Sequence, residues 1–114
     1  MDISFASKAL RKQLNEEKAM IKAHGPLRTR KLKIALTQLR AAPTLGIFAP
    51  PMSPPHRCHE LTGNRKGYLT VDLDHPYRLV FKPNHDPLPM RPEGWLDWKQ
   101  VTAIEITGIE DTHG

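Results

Sequence analysis

Residues 57–81 carry the side chains of this 114-residue chain that are best suited to chemistry on a charged ligand. His59 precedes a turn that contains Arg65 and Lys66, and Arg78 lies within an apolar run. An imidazole titrates near neutral pH, so His59 suits proton transfer. A guanidinium binds phosphate oxygens in a bidentate manner, and a charge inside an apolar run generally has a partner or a ligand. The alternative for each of these residues is a structural hydrogen bond or a solvated surface charge.

Glycine positions and alternating hydrophobicity divide this segment into a turn and a β-hairpin. Gly63 and Gly67 tolerate the positive φ angles of tight turns, which places the basic residues between them on a turn with outward side chains. The residues that follow alternate between apolar and polar, as in a half-buried strand. The predicted strands are 68–73 and 77–82, joined by a turn at 74–76.

The N-terminal part has the pattern of a helical hairpin. Ser7 is a suitable N-cap for a first helix. The sequence His-Gly-Pro at 24–26 ends this helix and begins the next, because glycine favours a helix C-terminus and proline the first turn. The predicted helices are 7–23 and 27–42, and the inner stripe of the first comprises Leu10, Leu14 and Ile21, which Met20 can join.

Two further strands complete the predicted fold. Residues 3–5 form a short first strand, and residues 101–109 are rich in the β-branched residues of strands. Two helices followed by paired strands predict an α+β fold, in which an N-terminal helical hairpin packs on a small antiparallel β-sheet. The length suits a single domain over residues 1–114.

Two proline-rich segments connect these elements. Residues 43–56 contain five prolines and predict a stiff, extended connector. Residues 83–99 form a second loop, which holds both tryptophans of the chain, Trp95 and Trp98. These two side chains either dock the loop on the core or form a platform for base stacking or partner binding.

The composition is that of a globular protein rather than a membrane-spanning one. No apolar run approaches the length of a transmembrane helix, and the N-terminus lacks the pattern of a signal peptide, which predicts a cytoplasmic protein without membrane contact. The lone Cys58 forms no internal disulfide, in agreement with a reducing compartment. His56, Cys58 and His59 offer three metal ligands, but no second cluster follows at zinc-ligand spacing, so no metal site is predicted.

The net charge of +5 is concentrated in the N-terminal part. Residues 1–40 hold ten Lys/Arg against three Asp/Glu, whereas residues 41–114 hold seven against nine. Such an asymmetric field favours a polyanion such as RNA or an acidic protein partner. The alternative is an ordinary solvated helix face. The candidate RNA-binding residues on the second helix are Arg28 and Lys31.

The segment 57–82 resembles the RelE/HigB toxins of bacterial toxin–antitoxin modules, in particular the plasmid maintenance killer branch. Members of that branch carry a Leu-His-x-Leu-x-Gly-Asn/Asp-Arg-x-Gly motif, an alternating strand, and then a Trp-Arg-Ile/Leu-x-Phe motif. The resemblance extends more weakly to residues 104–113, where the branch ends in Asp-Tyr-His. The matching positions in the main segment are His59, Leu61, Gly63, Asn64, Arg65, Gly67, Tyr77, Arg78, Leu79 and Phe81.

The resemblance implies a RelE-like toxin fold and a ribosome-dependent mRNA endoribonuclease that needs no metal or other cofactor. Such an enzyme turns the 2′-hydroxyl of the RNA into the nucleophile and supplies a base, an acid and cations for the charged phosphorane. The implied partners are the ribosome with its mRNA, and a helix-turn-helix antitoxin encoded by a neighbouring gene. The implied catalytic residues are His59, Arg65, Arg78, Asp111 and His113, with Lys66, Arg28 and Lys31 in contact with RNA.

Two departures from the pattern of the branch affect the expected chemistry. Thr112 replaces a tyrosine between the terminal Asp and His, and a threonine hydroxyl is a poor proton donor. Thr62 replaces a lysine three residues after the motif histidine. An alternative function is therefore that of a catalytically degenerate homologue, which binds RNA or protein as a non-enzymatic regulator.

Overall fold

The computed structural model describes residues 1–112, which form an α+β fold. The predicted fold class is confirmed, and the three predicted main strands lie close to their expected bounds. Short 3-10 turns occur at Leu45–Phe48, Gly63–Arg65 and Trp98–Gln100. The helices and strands are β1 (Asp2–Phe5), α1 (Lys8–Asn15), α2 (Glu17–Ala41), β2 (His59–Glu60), β3 (Leu69–Asp72), β4 (Tyr77–Pro83) and β5 (Ala103–Asp111).

The five strands form one mixed sheet in the order β1-β5-β4-β3-β2. The hairpin of β3 and β4 and the pairing of β4 with β5 are antiparallel, as predicted. The prediction of a wholly antiparallel sheet was wrong at its edge, because β1 pairs with β5 in parallel, with Ile3 opposite Ile104. No local pattern indicates a partner so far along the chain.

The first predicted helix is broken at Glu16. Ser7 caps α1 as expected, and its hydroxyl accepts a hydrogen bond from the N–H of Leu10 at 3.1 Å. Glu16 then adopts extended angles, φ −115° and ψ 117°, so α2 begins with a new helical phase. The predicted inner position of Ile21 was therefore wrong: Ile21 is 41% exposed, and Met20 is buried in its place.

Gly25 divides α2 into two antiparallel halves. Its φ of 80° is outside the range of helices, and Pro26 opens the second half. The Nζ of Lys33, in the second half, lies 3.1 Å from Oε1 of Glu17 in the first, so the two halves lie side by side. The helical hairpin predicted from the His-Gly-Pro sequence is confirmed.

The helices cover one face of the sheet and form the core with it. Leu32, Leu36 and Leu39 of α2 share a buried cluster with apolar residues of the three central strands. Trp98 is buried in this cluster, and its Nε1 donates to Oε2 of Glu60 at 3.1 Å, whereas Trp95 is 68% exposed. Among residues 1–112 no helix combines the length and apolar character that crossing a bilayer requires.

The face of the sheet opposite the helices is referred to below as the outer face. Leu69 and Val71 belong to the core, so the alternate positions of β3 point away from the helices. The strand register then assigns the neighbouring side chains to the same face. The outer face comprises His59, Thr70, Asp72, Arg78, Val80 and Glu110.

Candidate functional site

The outer face brings together three of the predicted catalytic residues. Arg78 lies directly between Asp72 and Glu110 in the strand register, and His59 pairs with the next outer residue of β3. Arg65 reaches this face from the turn before β3 and contacts Glu110. The site therefore combines one imidazole and two guanidinium groups with two carboxylates.

Arg78 is held by Asp72 on β3 and by Thr112, the residue that follows β5. Its Nε donates to Oδ1 of Asp72 at 3.1 Å, and its Nη1 donates to Oγ1 of Thr112 at 2.8 Å. Its side chain is only 12% exposed. The hydroxyl that replaces the tyrosine of the resembling toxins thus accepts a hydrogen bond from the arginine and fixes its position.

Arg65 forms a bidentate pair with Glu110. Its Nη1 and Nη2 donate to the two carboxylate oxygens at 3.0 and 2.9 Å. These hydrogen bonds lower the pKa of Glu110 from its ordinary value and raise the pKa of Arg65. Gly63 and Gly67, with φ of 65° and 99°, form the predicted turn. Because the pair is partly exposed, it contributes orientation more than stability.

His59 is oriented by a backbone carbonyl. Its Nδ1 lies 2.9 Å from the oxygen of Arg57. A carbonyl only accepts hydrogen bonds, so Nδ1 carries the proton in the neutral ring. Nε2 of His59 then carries the lone pair, which suits it to accept a proton from a substrate.

The sequence did not reveal the two carboxylates or the part that Arg57 plays. Asp72 binds two arginines, with Oδ1 on Arg78 and Oδ2 on Nε of Arg57 at 3.1 Å each. The turn predicted at 74–76 already places residue 72 opposite residue 78, so the hairpin register could have indicated the first contact. The contact of Asp72 with Arg57 depends on the path of the proline-rich connector, which the sequence does not determine.

Arg28, a predicted RNA contact, lies on the helical side of the molecule and has structural partners there. Its Nε and Nη2 donate to the carboxylate of Asp74 at 3.0 and 3.2 Å, and its guanidinium stacks over Tyr77 at 3.6 Å from the ring centroid. Arg28 therefore joins α2 to the turn between β3 and β4. No local pattern indicates this contact, which joins residues 46 positions apart.

The remaining predicted site residues are distributed over several parts of the structure. Lys66 is exposed beside Arg65, and Lys31 is exposed on α2. Asp111 pairs with Tyr77, so the alternation along β5 places it on the face opposite that of Glu110. His113 lies outside the described residues.

The histidines and cysteine considered as metal ligands do not converge. Cys58 is fully buried in the core, where burial raises the pKa of its thiol to about 12. His59 lies on the outer face, and the His56 ring packs edge-on against Phe48 with ring centroids 5.7 Å apart. Within residues 1–112 no group of three or more potential ligands is placed to hold a metal ion.

The hydroxyl of Thr70 provides a stability test of the outer face. Thr70 is fully buried between His59 and Val80, and its Oγ1 has no hydrogen-bond partner among the described residues. An unsatisfied buried hydroxyl is destabilising, so Thr70→Val is expected to raise the free energy of unfolding by about 1 kcal/mol in urea denaturation.

Thr107→Val is the matched control for this prediction. Oγ1 of Thr107 donates to the carbonyl of Val80 at 3.2 Å, at the irregularity between β4 and β5. Thr107→Val removes this hydrogen bond, so it is expected to lower the free energy of unfolding by about 1 kcal/mol. Equal destabilisation by both substitutions would contradict the described environment of Thr70.

The comparisons with known proteins identify the fold. No family model and no curated protein matches the sequence. Among solved structures, a YoeB/ParE toxin from Agrobacterium tumefaciens superposes with a TM-score of 0.57 at 11% identity, over 99% of this chain and 100% of that one. The YoeB dimer from Staphylococcus aureus gives a TM-score of 0.52 at 14% identity, over 96% of this chain and 94% of that one.

These likenesses show that the chain has the α+β fold of bacterial YoeB/ParE toxins, the RelE-like toxin fold that the sequence predicts. At identities this low the likeness establishes the fold alone. Assignment to the HigB branch stays a prediction from residues 57–82.

Proposed function

We propose that this chain is the toxin of a toxin–antitoxin module and cleaves RNA at its outer face. The observation that supports this proposal most strongly is the placement of His59, Arg65 and Arg78 on one face of a RelE-like sheet. A base and positive charges near the phosphate are groups that favour attack by the RNA 2′-hydroxyl. The YoeB/ParE titles of the similar structures agree with a toxin.

Each residue has a distinct part in the proposed reaction. Nε2 of His59 takes the proton from the 2′-hydroxyl, which then attacks the adjacent phosphorus. Arg78, fixed by Asp72 and Thr112, stabilises the charge that develops on the phosphorane. Arg65 contacts a phosphate oxygen from the turn. His113, the residue after Thr112, is the proposed acid for the leaving 5′-oxygen, whereas Asp111, on the opposite face of β5, is given no part in the reaction.

The proposed substrate is mRNA positioned by the ribosome, and the proposed partner is a small helix-turn-helix antitoxin encoded next to this gene in a bacterial cytoplasm. The resemblance of residues 57–82 to RelE/HigB toxins implies that the ribosome positions the mRNA. Its basic N-terminal part, with ten Lys/Arg in residues 1–40, suits attraction to RNA or to an acidic protein. Lys31 and Lys66 contribute to this long-range attraction.

Induction of the protein in a bacterial host tests the proposal. We expect growth to stop and primer extension on cellular mRNA to reveal new 5′ ends, with rescue by co-expression of the neighbouring reading frame. Intact transcripts together with normal growth would contradict the proposed activity. A pull-down that recovers no small protein, with no adjacent antitoxin gene, would contradict the proposed module.

One observation favours a second candidate, a homologue that binds RNA or protein without cutting RNA. The hydroxyl of Thr112 is occupied by Arg78, and threonine cannot replace tyrosine as a proton donor. In this case the same face retains phosphate contacts but lacks the proton donor that a tyrosine at position 112 would supply. RNA binding by the purified protein without cleavage, on isolated RNA and on programmed ribosomes, would distinguish this function from the first.

A further inference from the structure

We propose that Arg57 forms a second phosphate-binding subsite for the RNA chain, next to the scissile phosphate that Arg78 is proposed to hold. This inference rests on the proposed function and assigns a further substrate contact. The two arginines border a cavity of about 260 Å³, together with Asp72, Leu73 and His75. The cavity lies where the connector meets the end of β3, beside the groups proposed to act on the scissile phosphate.

The charges around this cavity favour an anion. Two guanidinium groups share the carboxylate of Asp72, so these three side chains together carry a net positive charge. Arg57 uses its Nε in the ion pair, and a guanidinium has four further N–H donors on its terminal nitrogens. The Arg57 side chain is 49% exposed against 12% for Arg78, so it forms the accessible rim of the cavity.

The backbone of Arg57 is held in an unusual conformation. Its φ of 49° is uncommon for a residue with a Cβ and is maintained by surrounding contacts. Its N–H donates to the carbonyl of Ser53 at 2.9 Å, while its carbonyl accepts from Nδ1 of His59. The N–H of Asp72 donates to the carbonyl of His56 at 2.8 Å, which joins the connector to β3. Such conformations cluster at binding sites.

An RNA backbone fits this arrangement better than an isolated anion. Single-stranded nucleic acids bind along grooves whose cations follow successive phosphates. If Arg78 holds the scissile phosphate, a neighbouring phosphate of the same strand lies within reach of the rim, where Arg57 extends its terminal amino groups. The contact is with the phosphate, so it is expected to be independent of sequence.

Salt-dependent RNA binding by Arg57 variants tests the subsite. Fluorescence anisotropy with a 2′-O-methyl RNA oligonucleotide, which cannot be cut through its 2′ position, measures affinity over a range of salt concentrations. Arg57→Asn suits the positive φ. We expect it to weaken binding about tenfold at low salt, in line with a lost charged hydrogen bond, and to reduce the slope of log K against log salt by about 1.

Arg11→Asn is the matched control, because it removes the same charge from α1 on the helical side. At each salt concentration it is expected to weaken binding less than Arg57→Asn does, because a distant exposed charge makes no direct phosphate contact and is increasingly screened as salt rises. Arg57→Lys keeps the charge but loses the planar fork, so it should retain the salt slope and weaken binding severalfold. If Arg57→Asn and Arg11→Asn bind RNA equally well, the proposal is overturned. If Arg57→Asn does not fold, Arg57→Lys replaces it as the test, and an unchanged affinity of Arg57→Lys for RNA overturns the proposal.

A polyglutamate peptide serves as a second probe, because it offers carboxylates in place of phosphates. If Arg57→Asn reduces binding of this peptide but not of RNA, the cavity binds protein carboxylates and the proposal is wrong. If the unaltered protein cleaves RNA and Arg57→Asn leaves both binding and cleavage unchanged, only the subsite is refuted. Failure of the unaltered protein to bind RNA, free or on ribosomes, would refute the proposed function together with the subsite.

Discussion

Arg78→Ala is expected to lower the rate of RNA cleavage by about a hundredfold or more. The loss of a positioned cation that stabilises transition-state charge raises the barrier by on the order of 3 kcal/mol. The fold is expected to survive, because Asp72 keeps its ion pair with Arg57 at 3.1 Å. Single-turnover cleavage of a defined mRNA on programmed ribosomes measures the effect, and circular dichroism verifies the fold.

Lys31→Ala is the control for this prediction. Lys31 is exposed on α2, on the helical side of the sheet, so its removal is expected to leave the rate of cleavage nearly unchanged and to weaken only salt-sensitive association. If Lys31→Ala were as damaging as Arg78→Ala, or if Arg78→Ala retained full activity in a folded protein, the reaction would not occur on the outer face.

His59→Gln is expected to reduce cleavage by about a hundredfold, the lower range for loss of a general base. Glutamine retains a hydrogen-bond donor for the carbonyl of Arg57 but cannot accept a proton, so the local structure is preserved. The dependence of the rate on pH is also expected to flatten, because the proposed proton acceptor has been removed. The rate measured from about pH 5 to about pH 9 reports both effects.

His56→Gln provides the comparison for this variant. His56 is three residues earlier on the connector and packs against Phe48, and it borders a cavity beside α2. Burial lowers the pKa of His56, yet its substitution is expected to leave the pH profile of cleavage unchanged. An unaltered pH profile in His59→Gln would exclude His59 as the base.

The β-hairpin was predictable because its signals are local. Gly63 and Gly67 have the positive φ angles that their lack of a Cβ permits, and the alternation in residues 68–73 matches the observed division between core and outer face. Gly25, followed by proline, likewise marks the helical turn. At these positions the conformational preference of one residue type determines the structure.

Other features depend on contacts between distant parts of the chain. The break at Glu16 has no glycine or proline to indicate it, and it buries Met20 instead of Ile21. In the sequence, nothing distinguishes Arg28 from any other basic residue of a helix. Only the tertiary fold brings Asp74 next to it. Local patterns specify candidate groups, but the register and packing select their partners.

The same distinction applies to the candidate site. His59, Arg65 and Arg78 were predicted from their residue types and from the resemblance of residues 57–82 to the toxin motif, whereas the carboxylates that orient both arginines were not. Glu110 reaches Arg65 from a strand 45 positions away in sequence. The charge balance of the outer face, with each arginine beside a carboxylate, therefore emerges only in three dimensions.

The chemical ends of the cleavage products test the central claim most directly. In one experiment, purified protein is added to a short free RNA in the presence of excess EDTA. In a second experiment, it is added without EDTA to an mRNA on programmed ribosomes. Attack by the 2′-hydroxyl predicts products with a 2′,3′-cyclic phosphate or 3′-phosphate end, and no cleavage where a single 2′-deoxynucleotide occupies the scissile position. Products with a 3′-hydroxyl, or cleavage of the 2′-deoxy substrate at an equal rate, would contradict the proposed chemistry of the outer face.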